Sequence, residues 1–133
     1  MKYLAFDIGG ARIGLAVSDE LGITCHPLFA VPVTSELIQK LGPVFEAERP
    51  EVAVFGIPRH QNGEEALVAE EIREFARAIQ NEYNVKVDFE DESATTIEAE
   101  RRLRQAGKSR EEIKKLVDAE SACVILESYL ART

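Results

Sequence analysis

Apolar and polar residues alternate at every second position where the chain begins. Leu4, Phe6 and Ile8 point one way and Tyr3, Ala5 and Asp7 the other, which predicts a strand over 3–8. Gly9-Gly10 marks a turn. Small and β-branched residues predict a second strand over 13–18, and Asp19-Glu20-Leu21-Gly22 a second turn. A third strand is expected over about 23–31, and Pro27 confines it to a sheet edge. The period then changes. Leu37, Ile38, Leu41, Val44 and Phe45 form a helical stripe, which Gly42-Pro43 should kink or split into two short helices. The near-continuous apolar run over 52–57 predicts a buried parallel strand. Val68, Ile72, Phe75, Ala76, Ile79 and Tyr83 mark a helical face, and Val85, Val87 and Phe89 alternate as a fifth strand. Thr95-Thr96-Ile97-Glu98 has capping-box form and opens a short helix ending near Gly107. Ser109-Arg110-Glu111-Glu112 is a second box, opening a final helix to about Leu130.

This order, β-β-β-α-β-α-β-α-α, predicts an α/β fold. Three antiparallel strands (β1-β2-β3) followed by βα units give a mixed five-stranded sheet with helices packed on it. Ribonuclease H-like folds have this layout, and actin-like ATPase domains share much of it, so topology does not choose between them. A length of 133 residues fits one domain over 1–133. No run of about 18 apolar residues occurs, and the N-terminus lacks a signal-peptide pattern. A cytoplasmic protein with no membrane partner is expected. Cys25 and Cys123 read as two buried, reduced thiols.

The formal net charge of −8 argues against a nucleic-acid partner until its distribution is read. From Arg101 to Lys115, seven basic residues face only Glu111 and Glu112, so this stretch stands at +5 and the rest at −13. Such a surface can grip phosphates on an acidic molecule, although a solvated helix pair would look the same.

Three acidic positions stand out. Asp7 sits in a strand, where Asp is depleted, and at a strand end, where α/β sheets place ligands. It could also serve only the turn amides. Asp118 lies about nine residues into the last helix, beyond the helix dipole's reach, on the face of Ser121, Ala122, Ile125 and Tyr129. A carboxylate there needs a cation or a partner such as Lys114 or Lys115. Glu90-Asp91-Glu92 closes the fifth strand, with Glu90 and Glu92 on one face and Asp91 on the other. Converging carboxylates would form an oxygen-only site for Mg²⁺ or Mn²⁺. Zinc is not indicated, because His26, His60 and the two cysteines are isolated in sequence. The loop Pro58-Arg59-His60-Gln61-Asn62-Gly63 is polar and placed to face a ligand.

Four segments, in order, resemble the YqgF/RuvX family. The first is Leu4-Ala5-Phe6-Asp7-Ile8-Gly9-Gly10-Ala11-Arg12-Ile13-Gly14, continuing to Asp19. The second is Phe55-Gly56-Ile57-Pro58 with Gly63. The third is Asp91-Glu92-Ser93-Ala94-Thr95-Thr96-Ile97-Glu98-Ala99. The fourth is Lys115-Leu116-Val117-Asp118-Ala119-Glu120-Ser121-Ala122. The resemblance spans nearly the whole chain. It implies a ribonuclease H-like, metal-dependent nuclease that processes the 5′ end of pre-16S ribosomal RNA or resembles Holliday junction resolvases. It implies Asp7, Glu92 and Asp118 as the catalytic and metal-holding triad, and so favours Glu92 over Asp91. Arg12 becomes a substrate contact. Two positions depart from the family pattern: Ser93 stands where the family has Arg, and Ser121 where it has Ala. Arg59, Arg101 or Arg102 could supply the missing cation toward nucleic acid.

The leading expectation is therefore hydrolysis of structured RNA, with branched DNA the alternative, by a monomer or homodimer. No Trp is present and the three tyrosines are scattered, so recognition by shape and backbone is expected over base stacking. A nucleotide-binding module of the actin-like kind is the second reading, resting on Asp7-Ile8-Gly9-Gly10. A non-catalytic ribosome-assembly module is the third.

Overall fold

A computed structural model describes residues 1–59, 62–92 and 94–133. Its elements are β1 (Tyr3–Ile8), β2 (Arg12–Ser18), β3 (Cys25–Pro32), α1 (Leu37–Lys40), α2 (Gly42–Glu48), β4 (Val52–Pro58), α3 (Glu64–Tyr83), β5 (Lys86–Glu92), α4 (Thr95–Gln105) and α5 (Arg110–Ala131). His60, Gln61 and Ser93, which the sequence reading singled out, lie outside the described residues. The strands form one sheet in the order β3-β2-β1-β4-β5. β1, β2 and β3 pair antiparallel, whereas β4 runs parallel to both β1 and β5. This is the expected mixed sheet.

The alternation in β1 sorts its side chains between two cores. Leu4 and Phe6 join Ile13, Leu15, Phe45, Phe55, Ile72 and Ile79 beneath α1–α3. Phe6 and Phe55 stack there with centroids 4.5 Å apart. Ala5 joins Ala16, Val54, Ala122, Ile125 and Leu126 beneath α5. The α5 face of the sheet is built from small residues, so that helix lies close to the strands. α4 packs on α5 rather than on the sheet.

Four details depart from expectation. β3 starts at Cys25, not Ile23, because the Asp19 carboxylate accepts from the Ile23 amide at 2.7 Å and the Thr24 amide at 3.2 Å, holding both in the turn. Val68 is exposed; the α3 stripe on the sheet begins with Ala69, one position later, and continues through Ile72, Ala76 and Ile79. α4 has no capping box. Ala94 caps it in the left-handed region (φ 56°), and Glu98 turns instead to Arg101 and Arg102. The cysteines, isolated in sequence, meet across β3 and α5 with sulfurs 3.0 Å apart, and Glu127 completes a trio with them. They are free thiols, Cys123 buried and Cys25 partly so. The Cys25 thiol and burial hold the Cys123 thiol well above its ordinary pKa.

The predicted box at α5 is present. Ser109 accepts from the Glu112 amide at 3.2 Å, and Glu112 accepts from the Ser109 amide at 2.8 Å. Ser109→Ala should cost about 1 kcal/mol, read as a lower urea midpoint at unchanged slope.

Candidate active site

One end of the sheet, on its α5 face, carries the acidic groups. Asp7 is the last residue but one of β1 and points toward α5, as Tyr3 and Ala5 do. Its neighbours in the sheet are glycines. Gly14 is its partner on β2, and Gly56 follows Phe55, the β4 partner of Phe6. Neither places a side chain over the Asp7 carboxyl.

These glycines also set the helix height. A Cβ on Gly14 would lie 1.9 Å from the carbonyl oxygen of Asp118, so α5 rests backbone to backbone on β2 at the residue that carries the acid. A Cβ on Gly56 would lie 2.5 Å from Ile125 and 3.4 Å from a Glu92 carboxylate oxygen. In the sequence both are only glycines within longer motifs. Their role depends on which backbone approaches them, which spacing does not encode.

β5 delivers the third acid. Asp88, Glu90 and Glu92 share the α5 face, and Asp91 is exposed on the other, as strand alternation required. Two of the three are tied to the C-terminal end of α5. Asp88 accepts from the Tyr129 hydroxyl at 2.8 Å, and buried Glu90 accepts from Ser128 at 2.6 Å and Arg132 at 2.5 Å. Glu92 reaches past them to Asp7. Thr95, first residue of α4, donates to Glu92 at 3.2 Å and holds it there.

Asp7 and Glu92 share this end of the sheet, and two carboxyl groups so placed repel one another unless one keeps its proton. The Asp7 carboxyl is pushed up to about 8, first by burial, then by the hydrogen bond with Glu92 and the negative charges of Glu92 and Asp118. Asp118 faces the same end but is turned to Arg12, whose Nε donates at 2.7 Å. Its partner is therefore a strand arginine, not Lys114 or Lys115. The three carboxylates have not closed on one another. Among the described residues, the trio of ligand atoms within 4.8 Å is Cys25, Cys123 and Glu127.

The other basic candidates are placed unequally. Arg59 lies 3.8 Å from Asp91, on the opposite side of the β5 end from Glu92. Arg101 is paired with Glu98 at 2.6 Å. Arg102 is paired with Glu98 at 3.0 Å and with Glu127. The acids of α4 and α5 thus neutralise Arg101, Arg102 and Arg104, whereas Lys108, Arg110, Lys114 and Lys115 form no salt bridge among the described residues.

Comparisons with known proteins agree with this layout. A family model described as RuvX, Holliday junction resolvase, matches residues 1–132. A relative from Lactococcus lactis subsp. lactis, named "Putative pre-16S rRNA nuclease", is 36% identical over 133 residues, covering 97% of this chain and 93% of the relative. A protein of the same name from Anaeromyxobacter is 39% identical over 132 residues, covering 98% and 96%. Among solved structures, the Holliday junction resolvase of fowlpox virus superposes with a TM-score of 0.62 at 15% identity, covering 99% of each chain. RuvC of T. thermophilus, bound to a Holliday junction substrate, superposes with a TM-score of 0.59 at 17% identity, covering 99% and 96%. At such identities the superpositions establish the fold alone, a ribonuclease H-like resolvase fold.

Proposed function

The chain belongs to the RuvX family, and from that premise we propose that it is a divalent-metal nuclease that trims the 5′ end of pre-16S ribosomal RNA. One observation carries the catalytic part. Asp7 near the end of β1 and Glu92 at the end of β5 share one sheet end with Asp118, where burial first and the neighbouring carboxylates second push the Asp7 carboxyl up to about 8. Carboxylates crowded into mutual repulsion are arranged for a cation. An oxygen-only donor set suits a hard ion, Mg²⁺ or Mn²⁺. Asp7, Glu92 and Asp118 are the residues that would hold it. A bound divalent ion there supplies electrostatic stabilisation of the phosphate undergoing displacement.

The chain's own groups do the rest. Asp7 must release its proton to become a ligand, so metal affinity rises with pH through about 8. Thr95 keeps Glu92 aimed at Asp7. Arg12 neutralises Asp118, and a divalent ion held by the three carboxylates would compete with it for that oxygen. Its guanidinium is 57% exposed, so the pair is worth about 1 kcal/mol at most and gives way readily. Released from Asp118, Arg12 would be placed to meet a substrate phosphate. Arg12→Ala should bind Mg²⁺ a few-fold more tightly by calorimetry yet raise KM for the nucleic acid.

The ribosomal substrate is supported by the names of the relatives, and DNA junction cleavage by the family description. A labelled precursor carrying the 16S 5′ leader and a four-way DNA junction, each with Mg²⁺, Mn²⁺ or chelator, test both. Metal-dependent cleavage of the RNA alone supports this reading. Cleavage of the junction alone replaces it with the resolvase, and no cleavage by folded protein overturns the nuclease.

A further inference from the structure

Beside the acidic end lies a cleft of about 770 Å³ between the edge strand β3 and the helices α4 and α5. Arg12 lines its end nearest Asp118, so cleft and carboxylates are continuous. Its floor is apolar: Phe29 of β3, Leu103 of α4 and Leu116 of α5. Its rim carries Lys108, Lys114 and Lys115. Glu120, the acid in the wall, faces Arg102 at 3.8 Å.

We propose that this cleft holds an unpaired RNA strand beside the scissile phosphate, its bases on Phe29 and Leu116 and its phosphates on the three lysines. The inference rests on the nuclease reading and adds the form of substrate. Three features carry it. The basic stretch is sorted by the fold, its arginines at 101, 102 and 104 paired with acids and its cleft-lining lysines left to an external anion. Phe29 is 47% exposed on an edge strand, a hazard for aggregation unless something covers it. An aromatic and apolar floor inside a cationic rim is the composition that binds single strands, whose bases are free to stack. A duplex would present only its backbone to such a floor. The volume falls in the ~300–1,000 Å³ range of small-ligand clefts, room for a short stretch of one strand.

Binding is read separately from cleavage, by fluorescence anisotropy in chelator. The probes are a labelled single-stranded RNA and the same RNA as a duplex. Lys114→Ala with Lys115→Ala should weaken RNA-strand binding at least tenfold and flatten the log–log salt slope by about 1.4, at about 0.7 per lost contact. Phe29→Ala should weaken it at least fivefold at unchanged slope, because stacking releases no counterions. Lys40→Ala with Lys86→Ala removes the same charge elsewhere and should change affinity less than twofold. All these side chains are exposed, and unchanged urea midpoints confirm folding. Wild-type affinity in the cleft variants overturns the proposal, as does a duplex bound as tightly as the RNA strand. An inactive protein that binds as expected overturns the nuclease reading and leaves the cleft. An active nuclease indifferent to these variants overturns the cleft alone.

Discussion

Asp7→Asn should abolish cleavage, by about 10³-fold or more, and in metal-free buffer near pH 8 should make the protein harder to unfold. The first effect follows from losing a ligand oxygen. The second follows from linkage. The Asp7 carboxyl is raised in the folded state from 3.8 to about 8. Below about pH 4, folded and unfolded chains both hold the proton, and the wild type has its full stability. Between pH 4 and 8 the unfolded chain ionises while the folded one resists, so stability falls as pH rises, and above 8 the loss is complete. Asn has nothing to titrate, and its amide can still donate to Glu92. The variant's advantage should therefore be small at pH 4, grow toward pH 8 and then level off. Its ceiling is on the order of 2–5 kcal/mol, a rise in melting temperature on the order of 10 °C.

Mg²⁺ should reverse the order. Saturating metal stabilises only the form that binds it, by about 2.7 kcal/mol at a hundredfold excess over Kd. Wild type should gain and Asp7→Asn should not. Melting curves at pH 5 and pH 8, with chelator and with Mg²⁺, give all four values. A stability difference equal at both pH values would mean that Asp7 is an ordinary ionised surface carboxylate. The site would then lack the crowding on which the metal reading stands.

Two of the acidic positions and the acidic end of β5 stood out because each breaks a local rule, while the choice of Glu92 within that end came from the family resemblance. Asp7 is an acid inside a strand, Asp118 an acid on an otherwise apolar helix face, and Glu90-Asp91-Glu92 a run of three consecutive acids. A rule broken in the sequence marks a place where tertiary structure must compensate. The sheet was readable because period two in β1 and β2, a continuous apolar β4 and period 3.6 in α3 leave few topologies. Partnerships were not readable. Asp118 meets Arg12, 106 positions away, rather than a lysine one turn back. Glu98 passes over its own helix N-terminus for Arg101 and Arg102 because two guanidiniums lie within a turn of it. Cys25 and Cys123 look isolated and touch. The sign of the charge in the stretch over 101–115 was correct, but which of its members stay available depended on acids supplied by α4 and α5 themselves. Spacing reports what one element can do; it is silent about which element arrives opposite.

Gly14→Ala shows the same point as a measurement. By sequence, Ala in a β-strand is the better residue, since Gly there costs backbone entropy and packs nothing. The fold reverses that preference. The new methyl would lie 1.9 Å from the Asp118 carbonyl oxygen and 2.2 Å from its carbon, and both are backbone that no rotamer change can move. Either α5 lifts from β2 or the strand bends. Lifting α5 separates Ala16 and Ala5 from Ala122 and Leu126, which fill the core beneath it. Overpacking in a core ordinarily costs about 1–3 kcal/mol, and a clash between two backbones belongs above that range. Gly14→Ala should therefore lose more than about 3 kcal/mol in urea titration. Gly10→Ala is the control, because a Cβ there meets nothing within 4 Å, and it should be close to neutral. Where Gly14→Ala remains folded at low temperature, metal affinity should fall further than Arg12→Ala raises it, since Asp118 rides on the displaced turn while Asp7 and Glu92 stay on the sheet. A Gly14→Ala protein as stable as wild type, with unchanged Mg²⁺ affinity, would show that α5 does not rest on β2 at Asp118 and that the third carboxylate is held some other way.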